Sequence, residues 1–337
     1  MAITKPKTEF AAAISQICAE RGIQPEVVLQ TIQEAMLAAY KRDFGLKEGF
    51  EYEAVIDSQT GETHIFAWEE GKKEKTRSEI TPPGFGRIAA QVAKQVLLQK
   101  IREAEKSAIL DEYAKRIGSW VNGMILRFEG PNIIVDIGKG EGMMPPSEQI
   151  KGEKYTPNQR LAFLIKEIQE TPWGRQIIVS RADPQLVAAL FRREVPEVSS
   201  GAVQIKSIVR EAGSRTKIAV LSTQTGVDPV GSCVGQKGIR VQRVIDELGG
   251  EKIDIIQYSE DPERFIAAAL SPAEKVKVEI NKKEKTAIVF VSEDQLSLAI
   301  GRGGQNVRLA SQLTGFKIEV KQEEPSSRVK KEKNSKK

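Results

Sequence analysis

Apolar positions recur at two different periods along this chain, and the period changes near residue 117. Before that point the spacing is helical. Phe10, Ile14, Ile17 and Cys18 lie three or four apart. Val28, Ile32, Ala35, Met36, Ala39 and Tyr40 share one face of a helix that opens after Gln24, with Pro25 in its first turn. A hairpin is expected next, residues 53–56 against residues 63–66 through a turn at Thr60 and Gly61. After Pro82, Pro83 and Gly84, the register of Ile88, Val92, Val96, Ile101, Ala104 and Ala108 predicts one long helix over about 86–116. From Ile117 to Arg181 the pattern becomes short apolar runs separated by turn residues, at 121–128, 132–138, 142–148, 160–168 and 176–181. Five short strands with no long helix between them suit a small closed barrel.

Beyond residue 200 the chain repeats itself. Gly235-Gln-Lys-Gly238 and Gly301-Arg-Gly-Gly304 open two related stretches in which Val241 matches Val307, Gln242 matches Arg308, and the run from Lys252 matches the run from Lys317. Each loop follows two predicted strands (203–209 and 217–220; 276–280 and 286–291) and a short helix, opened by Asp228-Pro229 in one copy and by Ser292-Glu293 in the other. A second helix and a strand come after each loop. A lone GxxG carries no weight. Two in the same setting define the KH pattern, in which the loop joins two helices and clamps a single-stranded backbone.

Those residue types suit a phosphate. Glycine at each end lets the backbone turn tightly and approach the ligand closely, and the helix that begins at the loop turns its unpaired N–H groups and positive dipole end the same way. Between the glycines stand Gln236 and Lys237 in one loop and Arg302 and Gly303 in the other, with no acid in either. The candidate RNA contacts are therefore Gly235, Gln236, Lys237 and Gly238, then Gly301, Arg302, Gly303 and Gly304. Arg240, Arg243 and Arg308 on the following helices extend the cationic stripe, and for these three an ordinary solvated helix surface is an equal reading. In the barrel region Phe128, Phe163 and Trp173 fall where such folds stack bases, with core packing the equal competitor. Phe128 and Trp173 are the base-stacking candidates, Trp173 standing in a turn that reads as exposed.

Charge alters this picture in one respect. The 337 residues carry 51 Lys plus Arg against 46 Asp plus Glu, a net +5, and the last twelve residues alone hold six bases and one acid. The rest is balanced, so a nucleic-acid site in the body must be a local patch. With two cysteines far apart and one histidine, His64, in a strand-like run, zinc and thiol-histidine chemistry have little to work with, and no catalytic residue, metal or cofactor is expected. Gly138, Gly140 and Gly142 read as a barrel turn, because no helix follows as a dinucleotide fingerprint requires, and the sequence around Lys237 lacks the P-loop spacing. No run of about 18 apolar residues predicts a membrane span, Ser15 and Gln16 interrupt the one stretch that imitates a signal peptide, and the thiols suit a reducing cytoplasm.

The strand region, with Val135-Asp-Ile-Gly, Gly142-Met-Met-Pro-Pro-Ser-Glu and a closing Ile177-Ile-Val-Ser-Arg, resembles the S-one type of OB-fold RNA-binding domain. A helical domain, an S-one barrel and tandem KH domains, together with the runs 194–198, 203–220, 227–235 and 294–310, resemble the NusA family of bacterial transcription termination and antitermination factors over about residues 8–320. The resemblance implies a multidomain α+β chain. Its parts are an RNA-polymerase-binding domain at 1–116, the barrel at 117–182, KH domains at 183–274 and 275–321, and a disordered basic tail at 322–337. It also implies a monomeric cytoplasmic elongation factor whose partners are RNA polymerase, nascent single-stranded RNA and other antitermination factors, and which modulates pausing, termination and antitermination. Some family members continue into acidic repeats that mask the RNA site; here a lysine-rich tail stands instead, which puts that autoinhibition in doubt. A ribosome-associated RNA chaperone or assembly factor is the alternative. An RNA phosphorolysing enzyme also carries these modules, but in the opposite order and after catalytic domains absent here.

Overall fold

A computed structural model describes residues 9–21, 23–57, 60–72, 76–171 and 174–323. They form two compact units, Met1–Glu112 and Tyr113–Lys337. The first contains α1 (Glu9–Arg21), α2 (Pro25–Phe44), a three-stranded sheet of β1 (Phe50–Ile56), β2 (Thr63–Glu69) and β3 (Ser78–Glu79), and most of α3 (Phe85–Ala114). Val28, Ile32, Met36 and Tyr40 of α2 are buried, as their spacing predicts, against Ala54, Ile56 and Ile65 of the sheet and Phe85 and Ala89 of α3. The expected hairpin forms, with Ile56 opposite Thr63 and Glu53 opposite Phe66. The two-residue β3 is too short to leave a periodic signal, yet it gives His64 its role. Glu79 Oε1 lies 2.7 Å from His64 Nδ1 and accepts from Thr81 Oγ1 at 2.8 Å, and the hydrogen bond from His64 holds the Glu79 carboxyl below its ordinary range.

The second unit starts with the barrel. β4 (Trp120–Glu129), β5 (Asn132–Asp136), β6 (Glu141–Met144), β7 (Arg160–Thr171) and β8 (Gly174–Ser180) close in the order β4-β5-β6-β8-β7. Phe163 is wholly buried, and a Cβ on Gly123 would sit 2.9 Å from its ring and 2.5 Å from Val135. Core packing therefore wins over base stacking for Phe163, and Gly123 is there because the barrel interior leaves no room. Gly138 and Gly140 form the β5–β6 turn, tied by Asp136 Oδ1 accepting from the Gly138 N–H at 2.8 Å, whereas Gly142 lies within β6, opposite Val135.

Two modules of one design follow. The first is α4 (Pro184–Glu194), α5 (Pro196–Ser199), β9 (Val203–Glu211), β10 (Arg215–Ser222), α6 (Pro229–Val234), α7 (Ile239–Glu247) and β11 (Lys252–Gln257). The second is α8 (Pro262–Ala269), β12 (Lys277–Asn281), β13 (Thr286–Val291), α9 (Glu293–Ile300), α10 (Gln305–Thr314) and β14 (Lys317–Gln322). In each sheet the central strand pairs antiparallel with the strand before it and parallel with the last. The repeat extends further toward the N-terminus than strands and loops alone suggest. α4 and α8 occupy the same place, each with proline in its first turn and each capped by an aspartate, Asp183 accepting from Gln185 N and Asp261 from Glu263 N.

The modules and the barrel share cores. Residues 216–220 of β10 are buried without interruption; Ile218 and Val220 face the first module's helices, while Ala219 joins Ile266, Ala269, Ala310 and their neighbours from the second. A strand covered on both faces reads as a continuous apolar run, and here that run is Ile218 to Val220. Lys217 precedes it, wholly buried, donating from Nζ to Asp254 Oδ2 and to the Ser271 carbonyl, both at 2.9 Å. Burial pushes its ammonium below the ordinary lysine value, against the pull of Asp254. Between barrel and first module, buried Arg181 donates to the Ala162 carbonyl at 3.0 Å, to the Glu247 carbonyl at 3.2 Å and to the Glu153 carboxylate.

Candidate nucleic-acid interface

The two GxxG loops have the same backbone. Gly235 (φ 75, ψ 174) and Gly301 (φ 73, ψ 171) leave the preceding helix alike. The third positions, Lys237 (φ 52, ψ 27) and Gly303 (φ 59, ψ 26), are both left-handed, as are Gly238 (φ 76, ψ 11) and Gly304 (φ 74, ψ 15), which cap the following helices. The first glycine is also demanded by space. A Cβ on Gly235 would lie 2.7 Å from Arg240 Cγ, and one on Gly301 would lie 2.7 Å from Asn306 Cβ and 2.8 Å from its nitrogen. Outward, nothing stands within 4 Å of a Cβ built on Gly238, Gly303 or Gly304. Each loop is thus braced from below and open above.

Gln236, Lys237, Arg302 and Gly303 are exposed, and neither α7 nor α10 has a side chain capping its N-terminus. An anion over either loop would meet backbone donors and the positive helix end without displacing a protein carboxylate from the cap.

The arginines expected to extend the stripe behave differently from one another. Arg240 is half-buried; its stem underlies Gly235 and its Nη1 donates to the Ser232 carbonyl at 2.7 Å and to Glu197 Oε2 at 2.8 Å. It supports the loop. Arg243 reaches Glu194 Oε2 at 3.4 Å and is otherwise exposed. Arg308 donates to Glu211 Oε1 at 2.7 Å and to the Gly303 carbonyl at 3.3 Å. In the second copy Asn306 takes the place of Arg240, buried and donating from Nδ2 to the carbonyls of Leu270, Leu298 and Ala299. Phe128 stands 48% exposed at the end of β4, beside Arg127, which is held between Glu129 and Glu141. Trp173 lies outside the described residues, as do residues 324–337 of the basic tail.

Sequence reasoning missed Glu211. At the tip of the β9–β10 hairpin, it accepts from Gln305 Nε2 at 2.7 Å as well as from Arg308, so the first module grips the opening turn of α10 in the second. Gln305 also donates to Ser214 Oγ at 2.7 Å. Burial pulls the Glu211 carboxyl upward, but the hydrogen bonds from Gln305 and Arg308 outweigh it and hold it below the ordinary value. A depressed carboxylate contributes stability above its unfolded pKa of about 4.3 and loses it as pH falls through the folded value. The expected result for Glu211→Gln is a stability deficit of about 0.5–1 kcal/mol at neutral pH. It should disappear when denaturation is repeated below the folded pKa; a deficit unchanged in acid contradicts the ionic grip.

A barrel fused to two modules with matched GxxG loops places the chain in the class of multidomain RNA-binding proteins. Models of the NusA N-terminal domain match residues 9–81 and 72–107, the NusA-like first KH domain residues 181–258, and the NusA-like second KH domain residues 262–328. The last begins at α8, which lies on the first module's side of the boundary expected at 274/275. Transcription termination/antitermination proteins NusA from Halalkalibacterium halodurans and Bacillus subtilis are 42% and 41% identical over 94% of this chain, covering 88% and 91% of their own lengths. That from Thermus thermophilus is 39% identical, covering 94% of this chain and 91% of its own. The chain belongs to the NusA family.

Proposed function

We propose that the chain is an elongation factor that holds nascent single-stranded RNA on its barrel and GxxG loops while its N-terminal domain binds RNA polymerase, and so modulates pausing, termination and antitermination. The observation that carries the RNA half is the pair of loops: the same left-handed backbone twice, acid-free, open outward, each at an uncapped helix N-terminus. In this reading Gly235, Gln236, Lys237 and Gly238 form one clamp, and Gly301, Arg302, Gly303 and Gly304 the other. Arg243 and Arg308 border the phosphate path. Arg240 acts on the RNA only by holding Gly235 in place. Among the described residues Phe128 is the exposed barrel aromatic that can stack a base. The chain works by binding rather than by turnover, with 1–116 the polymerase-binding part, in the cytoplasm. Among the described residues no helix is long and apolar enough to cross a membrane.

Several weak contacts on linked modules raise the effective concentration of each for the same strand, which suits a factor that must follow a moving transcript. Kinship supports the transcription half, since the relatives above are named for termination and antitermination. Affinity capture from a bacterial lysate tests it. RNA polymerase should be recovered by the intact chain and lost when residues 1–116 are removed, while recovery of ribosomal subunits without polymerase would favour the ribosome-associated alternative.

A further inference from the structure

The internal repeat gives the two β-hairpin tips equivalent places and opposite chemistry. In the first module the tip between β9 and β10 is tied to its neighbours, with Glu211 and Ala212 half-buried. The Gly213 N–H donates to Glu251 Oε2 at 2.7 Å, a Cβ on Gly213 would lie 2.4 Å from Ile150 of the barrel, and Glu211 and Ser214 grip Gln305 of the next module. Among the described residues the tip between β12 and β13 has no such ties. Residues 281–285 are all exposed, and the turn holds itself: Asn281 Oδ1 accepts from the Lys283 N–H at 3.1 Å and the Glu284 N–H at 3.4 Å, while Asn281 Nδ2 donates to Glu284.

Where the docked tip carries Glu211, Ala212, Gly213 and Ser214, this one carries Lys282, Lys283 and Lys285 with the single acid Glu284. Lys317 joins them, its backbone N–H donating to the Lys285 carbonyl at 2.9 Å. Among the described residues none of these four lysines has an ion-pair partner. The nearest acid along β14, Glu319, is paired with Lys321. A preformed turn that gathers four unpaired ammonium groups with the neighbouring strand fits a chain of phosphates, since each lysine can displace a condensed counterion.

We propose that the β12–β13 tip, through Lys282, Lys283, Lys285 and Lys317, is a second, sequence-independent contact for the phosphate backbone of RNA outside the segment clamped by the GxxG loops. It occupies the position at which the first module instead docks onto its successor. The proposal rests on the RNA reading above, and the test separates the two.

The variant is Lys282→Gln, Lys283→Gln, Lys285→Asn and Lys317→Gln in the full chain. Asparagine is chosen at 285 because that residue is left-handed, with φ 50. Binding of an unstructured RNA of about 30 nucleotides is compared with one of about 8, the length two GxxG clamps can hold, across a salt series. On the long RNA the variant should bind about tenfold more weakly at low salt and its log-log salt slope should fall by about 2–3, four lysines at about 0.7 each. The short RNA should be bound as by the parent. An unchanged slope on the long RNA overturns the proposal. So does an unchanged slope with loss of polymerase capture, which would assign the tip to an acidic protein surface. Aspartates in the GxxG loops should abolish binding of both lengths; if they do not, the RNA reading itself fails, whatever the lysines do.

Discussion

Aspartate at both middle positions of both loops, Gln236→Asp with Lys237→Asp and Arg302→Asp with Gly303→Asp, weakens single-stranded RNA binding by about 100-fold or more. The change removes two cations and sets four carboxylates where phosphates would lie, and like charges in direct opposition cost several kcal/mol, with about 1.4 kcal/mol to each tenfold. The fold should survive. All four side chains are exposed, with open space above Gly303. The two strained positions are left-handed, but Lys237 already holds that conformation without glycine's freedom, and aspartate tolerates it better than most residues. Fluorescence anisotropy with a labelled RNA gives the affinity, and circular dichroism with a melting curve checks the fold. A folded variant that binds within about threefold of the parent would show that the loops are not the clamp.

The GxxG loops were legible because their demands are local. Glycine at fixed offsets, a helix on either side and no acid in between can be read from a dozen residues, and so could the helical face of α2 and the five barrel strands. What stayed hidden depends on which side chains folding brings into contact. Glu211 reads as a strand-end acid until folding brings Gln305 and Arg308, nearly a hundred residues away, onto its carboxylate. Arg240 and Arg243 look alike as helix cations, but only Arg240 lies against the glycine five residues before it, so only Arg240 becomes a brace. Two hidden features did leave a trace. Asp183-Pro184 and Asp261-Pro262 are the same helix-start signal at the same place in both copies, which reveals α4 and α8 as parts of the repeat. The unbroken apolar stretch after Lys217 signals a strand covered on both faces. Tandem modules with a shared core are stiff, so the spacing between the two loops is set by the fold rather than by a linker.

Glu251→Ala should cost the second unit about 3–5 kcal/mol, a loss comparable to much of a typical domain's stability. Glu251 is 1% exposed and lies at the junction of barrel, first module and hairpin tip. Its oxygens accept from Arg210 Nε at 2.9 and 3.2 Å, from Arg210 Nη2 at 2.9 Å, from the Gly213 N–H at 2.7 Å and from the Thr216 hydroxyl. Arg210 is equally buried and also donates to the carbonyls of Arg181 and Asp183, at 2.7 and 2.9 Å. Removing the carboxylate leaves a guanidinium out of water with only neutral acceptors, and that uncompensated charge, more than the lost attraction, is the source of the penalty. The double replacement Arg210→Met with Glu251→Leu should therefore recover most of the loss, because neither charge is then stranded. Denaturant unfolding of the three variants measures this, and a loss below about 1 kcal/mol for Glu251→Ala would mean that water or another carboxylate reaches Arg210. The single variant should also weaken RNA binding at the second loop without touching it. Glu251 anchors Gly213, Gly213 shapes the tip that carries Glu211, and Glu211 holds Gln305 and Arg308 at the opening of α10.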